Sequence, residues 1–223
     1  SVQADSVNLI VLAETAVPDH IKRQPLIQRR IQQLSLNKNA PILTGALDYQ
    51  RLNAAKEAPK RYDVYNASFL FHTDNSIPSR YIKKHLVPYI CYDAIFGDLV
   101  REAIREGSRL MVNITNDGWF GKSTAPYQHL NLIRYRAIEH GYPVARVANS
   151  GITTFIDQYG HFSERTTLFS DRVLISKIPL RTKDTLYFHI GDFVEKGLLI
   201  FLLAYLILMF IQIKFSRINL NKV

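Results

Sequence analysis

The chain has 223 residues, 47% of them hydrophobic and 21% charged, enough for one globular domain with a sizeable core. Its formal net charge is +9, yet the 28 Lys and Arg residues are scattered in short runs such as Lys22-Arg23, Arg29-Arg30 and Lys83-Lys84. Without a basic stripe interleaved with aromatics this excludes a nucleic-acid-binding module and fits a basic surface near anionic lipid headgroups.

In chain order, Ser6 to Leu12 (SVNLIVL) is a partly β-branched apolar run that reads as a buried strand ending at the turn Ala13-Glu14-Thr15-Ala16-Val17-Pro18. Ile21 to Leu36 has the spacing of an amphipathic helix, Ala40 to Leu47 reads as a second strand and Val64 to His72 as a third. Asp74-Asn75-Ser76 makes a turn. Ile82 to Val87 and Tyr89 to Tyr92 then lead into a helix from Gly97 to Glu106, closed by Gly107. Arg109 to Ile114 is a strand that ends in the polar cluster Thr115 to Gly121. Gln128 to Gly141 is a helix, Val144 to Ala148 a strand, and Thr153 to Ile156 opens a hairpin through Asp157-Gln158-Tyr159-Gly160. Strands alternating with helices, followed by a late hairpin, predict an α/β sandwich with a mixed sheet.

From Gly197 to Ile213 the sequence GLLIFLLAYLILMFIQI carries no charge and one polar amide, Gln212. A core helix keeps a polar face, whereas this segment is apolar all round. Its length meets the short end of the roughly 17–25 residues that span a bilayer. Lys214, Arg217 and Lys222 follow it and the mixed pair Glu195 and Lys196 precedes it, so the positive-inside rule places the C-terminus in the cytoplasm and the preceding domain on the other side. The expected organisation is a catalytic domain over residues 1–190, then a transmembrane helix with a short basic tail over 191–223. Ser1 to Ser6 is mostly polar and there is no initiating Met, so the chain reads as the C-terminal part of something longer, without a signal peptide.

The single cysteine, Cys91, rules out an intramolecular disulfide and is either a small buried hydrophobe or a reactive thiol. Glu14, Lys83 and Cys91 all stand where strands end, which is where open α/β sheets place their active sites. A cysteine nucleophile needs its thiolate, and hence a base or a cation nearby. Glu14 is suited to take the proton and Lys83 to hold a developing oxyanion, with the Tyr92 N–H as a second donor if a helix begins there. Each has an ordinary explanation too: Glu14 as a helix cap, Lys83 beside Lys84 as solvated surface. Their grouping at successive strand ends favours chemistry.

Four ordered blocks, Ala13-Glu14-Thr15-Ala16-Val17-Pro18, Lys83-Lys84-His85-Leu86-Val87-Pro88, Ile90-Cys91-Tyr92-Asp93 and Asn116-Asp117-Gly118-Trp119-Phe120-Gly121, resemble the signature blocks of the apolipoprotein N-acyltransferases. These form the membrane-embedded branch of the nitrilase (carbon-nitrogen hydrolase) superfamily. The resemblance continues through Gln128-His129, Arg134 to Glu139, Ala145-Arg146, Ala148-Asn149-Ser150-Gly151-Ile152-Thr153 and Gly191-Asp192. It implies a nitrilase-like αββα sandwich, incomplete at the N-terminus and followed by one C-terminal transmembrane helix, on the periplasmic side of a bacterial inner membrane. It further implies Glu14 as general base, Lys83 as the oxyanion-stabilising lysine and Cys91 as the acylated nucleophile. Tyr92, Asp93, Trp119 and Phe120 are the supporting or substrate-binding positions, with Trp119 and Phe120 either walling the site near an acyl chain or packing in the core. The implied reaction is ping-pong. The sn-1 acyl chain of a phospholipid, typically phosphatidylethanolamine, passes to Cys91 as a thioester and then to the α-amine of a diacylglyceryl-cysteine apolipoprotein. No metal or organic cofactor is implied.

The sequence departs from the family pattern in three places. A further glutamate and several dozen residues usually separate the Leu-Val-Pro block from the cysteine, whereas Pro88 is followed almost at once by Ile90-Cys91. Asp93 stands where glutamate is usual, and the chain begins at the strand that carries Glu14. From these departures residues 1–223 alone are expected to be poorly stable and weakly active. Two other functions fit the same residues: a membrane-tethered amidase using the same triad, and an inactive fragment acting as a membrane scaffold.

Overall fold

The computed structural model describes residues 7–14, 16–51, 62–82, 89–180 and 184–220. The chain divides into two compact units, residues 1–183 and 184–223. The first contains β1 (Ile10–Val11), β2 (Val17–His20), α1 (Pro25–Lys38), β3 (Ile42–Arg51), β4 (Tyr62–Phe71), β5 (Ser79–Ile82) and β6 (Tyr89–Ile90). It continues with α2 (Gly97–Arg105), β7 (Met111–Asn116), α3 (Ala125–His140), β8 (Val144–Asn149), β9 (Thr154–Ile156) and β10 (Phe162–Arg165). Short 3-10 turns occupy Ile21–Arg23, Cys91–Ile95 and Asp117–Phe120.

Two mixed sheets result. In the first, β3 pairs antiparallel with β4, which pairs with β5, while β1 and β2 run parallel to β3. In the second the order is β10-β9-β8-β7-β6, with β6, β7 and β8 parallel and β9 and β10 antiparallel. Alternation along the strands divides the side chains into layers. Leu43, from the first sheet, clusters with Ile90, Val112 and Ile114 from the second, with Val11, Leu70 and Cys91 packed against them, so the sheets face each other. Ile42, Ala46, Phe69 and Phe71 point the other way and bury Ile31 of α1 together with Ile21. Asn113, Thr115 and Arg146 lie on the outer face of the second sheet, where His129 of α3 meets them. The layers are therefore helix, sheet, sheet, helix.

Element boundaries follow local chemistry. The helix expected from Ile21 begins at Pro25, whose fixed φ and missing N–H suit the first helical turn, and Ile21–Arg23 forms a separate turn. Helix α2 closes in a Schellman motif, with Ser108 N–H donating to Ala103 O and Gly107 N–H to Ile104 O. The Asp74 turn is held by the Ser76 N–H on Asp74 Oδ1 at 3.0 Å. Of the expected first strand, Ile10–Val11 forms β1, Leu12 N–H still donates to Leu43 O at 2.8 Å, and Ser6 lies outside the described residues. The extended run expected from Tyr89 to Tyr92 stops at Ile90, where the 3-10 turn begins. Most of the run expected from Ile82 to Val87, including Lys83, lies outside the described residues.

The second unit contains α4 (Leu186–Ile190) and α5 (Phe193–Leu220). Within α5, Lys196–Ile213 has a mean hydropathy of 2.3 and is long and apolar enough to cross a membrane.

Candidate active site

Strands β1 and β2 follow the same edge of β3, and the chain leaves that edge between them opposite Gly45. Among the described residues no helix begins there, so Glu14 is not a helix cap. The Glu14 backbone passes so close that a Cβ on Gly45 would stand 2.5 Å from the Glu14 carbonyl oxygen, which only glycine avoids. The carboxylate accepts from Asn66 Nδ2 of β4 at 3.2 Å and from the Asn116 backbone N–H at 3.0 Å. Asn116 closes β7 in the opposite sheet, so Glu14 ties the two sheets together at one end.

Cys91 stands at that same end. Ile90 pairs with Ile114, which puts Cys91 level with Thr115, one residue before Asn116. Cys91 is half-buried and has φ +52°, a left-handed conformation that non-glycine residues hold only when their surroundings enforce it. A 3-10 turn starts at Cys91, so the Tyr92 N–H lies in its first turn, where no preceding carbonyl of the turn takes it up. The Tyr92 ring stacks on His129 at 4.8 Å, and Phe120 meets both rings edge-on. The Asp93 carbonyl accepts from the Phe96 N–H at 3.2 Å and closes the turn. Trp119 is 87% exposed, which removes core packing as its explanation. Lys83 lies outside the described residues, so the structure brings together Glu14, Cys91, Tyr92, Asp93 and Phe120 around one strand end.

A buried polar network lies beneath this site. Arg146 Nη1 donates to Asn113 Oδ1, and Nη2 donates to Asp117 Oδ2 at 2.7 Å. His129 Nδ1 donates to Asp117 Oδ1 at 3.0 Å, and the Thr115 hydroxyl donates to the same oxygen at 3.2 Å. Burial raises the Asp117 pKa, but the His129 hydrogen bond and the Arg146 charge outweigh burial and hold it below the ordinary carboxylate value. Burial lowers the Arg146 pKa, opposed chiefly by the Asp117 carboxylate. Gly151 borders the network, for a Cβ there would fall 2.3 Å from Asp117 Oδ2. Sequence reasoning assigned no role to Asn66, Asn113, His129 or Arg146. The signal available was an amide and a guanidinium in the middle of the apolar strands MVNITN and VARVAN, where burial demands partners.

A carboxylate and a thiol at the end of facing mixed sheets, with a backbone donor beside the thiol, make an arrangement suited to acyl chemistry through a cysteine thioester. The family model for carbon-nitrogen hydrolases matches residues 88–186. In fold the chain is similar to a carbon-nitrogen hydrolase from Helicobacter pylori, with a TM-score of 0.57 and 14% identity over 72% of this chain and 73% of that one. It is likewise similar to an amidase of the nitrilase superfamily from Nesterenkonia, with a TM-score of 0.53 and 13% identity over 73% of this chain and 75% of that one. The chain thus shares the fold of these two enzymes.

In sequence it is similar to the apolipoprotein N-acyltransferases. It is 30% identical over 227 residues to the apolipoprotein N-acyltransferase of Geobacter metallireducens, covering 83% of this chain and 42% of that protein. It is 31% identical over 231 residues to that of Rhodopseudomonas palustris, with the same 83% and 42% coverage. The chain therefore spans less than half the length of these curated relatives.

Proposed function

We propose that the chain is the catalytic part of an apolipoprotein N-acyltransferase, working through a thioester on Cys91. The reading is carried by one observation: in a chain about 30% identical to named acyltransferases, the strained Cys91 and the doubly hydrogen-bonded Glu14 stand at the same end of facing sheets. In the first half-reaction Glu14 takes the proton of Cys91 Sγ, and the thiolate attacks the sn-1 ester carbon of a phospholipid such as phosphatidylethanolamine. The oxyanion meets the Tyr92 N–H and the Lys83 ammonium. When the C–O bond breaks, Glu14 returns the proton to the departing glyceryl oxygen, leaving a lysophospholipid and the acyl thioester. In the second, the α-amine of a diacylglyceryl-cysteine apolipoprotein attacks the thioester, its proton passes to Glu14, and C–S cleavage restores the thiolate, which takes the proton back. Asp93 and Phe120 support the loop, and exposed Trp119 lies along the acyl chain. The apolar stretch of α5 crosses the inner membrane with the C-terminus in the cytoplasm, leaving the catalytic unit on the periplasmic side.

The test uses the full-length protein in detergent, with labelled phosphatidylethanolamine as donor and a diacylglyceryl-cysteine peptide as acceptor. Cys91→Ser and Glu14→Gln are each expected to lower transfer by at least about 10⁴-fold, by analogy with the loss of other catalytic nucleophiles and bases. Intact mass is expected to show an acyl adduct on Cys91 in the native chain. Release of free acid without N-acylation of the peptide points instead to an amidase-like hydrolase, and a folded protein with no adduct points to a scaffold.

A further inference from the structure

We propose that Asn113, locked by Arg146, is the positioning residue that sets the conformation of the Cys91 loop. The inference rests on Cys91 being the nucleophile. Asn113 on β7 pairs directly with Arg146 on β8, and both side chains are fully buried. From beneath the loop, Asn113 Nδ2 donates to the carbonyl oxygens of Tyr89 at 3.3 Å and Cys91 at 3.1 Å. Those two carbonyls bracket the end of β6, so one amide spans the point at which the strand becomes a turn.

Arg146 dictates which way that amide faces. A guanidinium has five N–H donors and no acceptor, so the atom it meets on Asn113 must be Oδ1. Both hydrogens of the Asn113 NH₂ are thereby directed at the loop. Arg146 is held in turn by Asp117, and Asp117 by His129 and Thr115. The His129 ring then returns to the loop by stacking on Tyr92, the residue after the nucleophile. The loop is thus gripped at Tyr89 and Cys91 from below and at Tyr92 from the side.

This grip accounts for the φ of +52° at Cys91. An unfavourable backbone conformation persists only when neighbouring contacts over-determine it. Without the two hydrogen bonds from Asn113, Cys91 relaxes toward negative φ. Rotation there moves Sγ and the Tyr92 N–H together, the nucleophile and the oxyanion donor of the proposed reaction.

The discriminating variant is Asn113→Asp in the full-length protein. It has nearly the same shape and keeps its contact with Arg146, but it presents an acceptor oxygen to two carbonyls that need a donor. The expected result is a kcat about 10²-fold lower, the size of effect that ångström-scale misplacement produces, with KM for phosphatidylethanolamine within about threefold. Alkylation of Cys91 by iodoacetamide, followed by peptide mass and needing no lipid, is expected to slow in the same variant. Asn113→Ser, which retains a single donor, is expected to fall between Asn113→Asp and the native protein. A folded Asn113→Asp protein with native kcat and native alkylation rate overturns the proposal. If that variant does not fold, Asn113→Ser with native kcat overturns it instead. Cys91→Ser is run in parallel: turnover without the thiol overturns the nucleophile assignment and the proposal with it, whereas Cys91-dependent turnover with a fully active Asn113→Asp overturns only the positioning role.

Discussion

Two aspartates, Asp48 and Asp117, are buried on the outer faces of the two sheets, and each is matched by basic side chains. Asp48 pairs with Lys22 at 2.9 Å and Arg80 at 2.6 Å, and those side chains are 42% and 32% exposed. Asp117 pairs with Arg146 at 2.7 Å and His129 at 3.0 Å, and both are fully buried. The first cluster borders solvent, so its cations can turn to water when a partner is lost. The second has no such escape, and Asn113 connects it to the Cys91 loop. Similar pairings therefore carry different consequences, decided by whether the partners can be rehydrated.

Removing a charge from each cluster breaks the comparison most sharply. Arg146→Met leaves Asp117 buried without its main counter-charge and is expected to destabilise the protein by about 3–5 kcal/mol, measured by thermal or denaturant unfolding. Gly151→Ala sharpens it without removing a charge. Its new Cβ collides with the Asp117 carboxylate, and a loss of about 1–3 kcal/mol is expected together with slower Cys91 alkylation. In the first sheet, Asp48→Asn is expected to cost about 1 kcal/mol and to leave Cys91 alkylation unchanged, because Lys22 and Arg80 remain solvated. A similar loss of alkylation in Asp48→Asn removes the distinction between the clusters.

The smallest expected effect is that of pH across the neutral range. The folded-state pKa of Asp117 is depressed, so its contribution to stability is complete above the unfolded value of about 3.9. It is lost as pH falls through the lower folded value. Unfolding followed by acid titration is expected to show no change from this group between pH 5 and 8 and a decline below about pH 4. A decline beginning near neutrality contradicts the assignment.

Much of the fold was legible because it rests on local signals. Gly107 and Gly141 mark helix ends, and the apolar runs of β4, β7 and β8 lie within two residues of their expected limits. Strand β2 was not foreseen, since its pairing with β3 depends on the chain stepping around Gly45 and returning to the same edge. Glu14 and Cys91 were identifiable by their place at strand ends and by their blocks of neighbours. The left-handed conformation at Cys91 was not, because no glycine or asparagine announces it.

The sequence by itself determined the alternation of strands and helices, a C-terminal segment apolar on every side, and the candidates for base and nucleophile. Hydrophobic periodicity, turn chemistry and residue type are properties of short segments. Only the tertiary structure decided that Glu14 is held by Asn116 from the opposite sheet and that Asn113 meets Arg146 beneath Cys91. Those contacts join residues 102 and 33 positions apart and depend on strand register and sheet facing, which are settled when the layers pack.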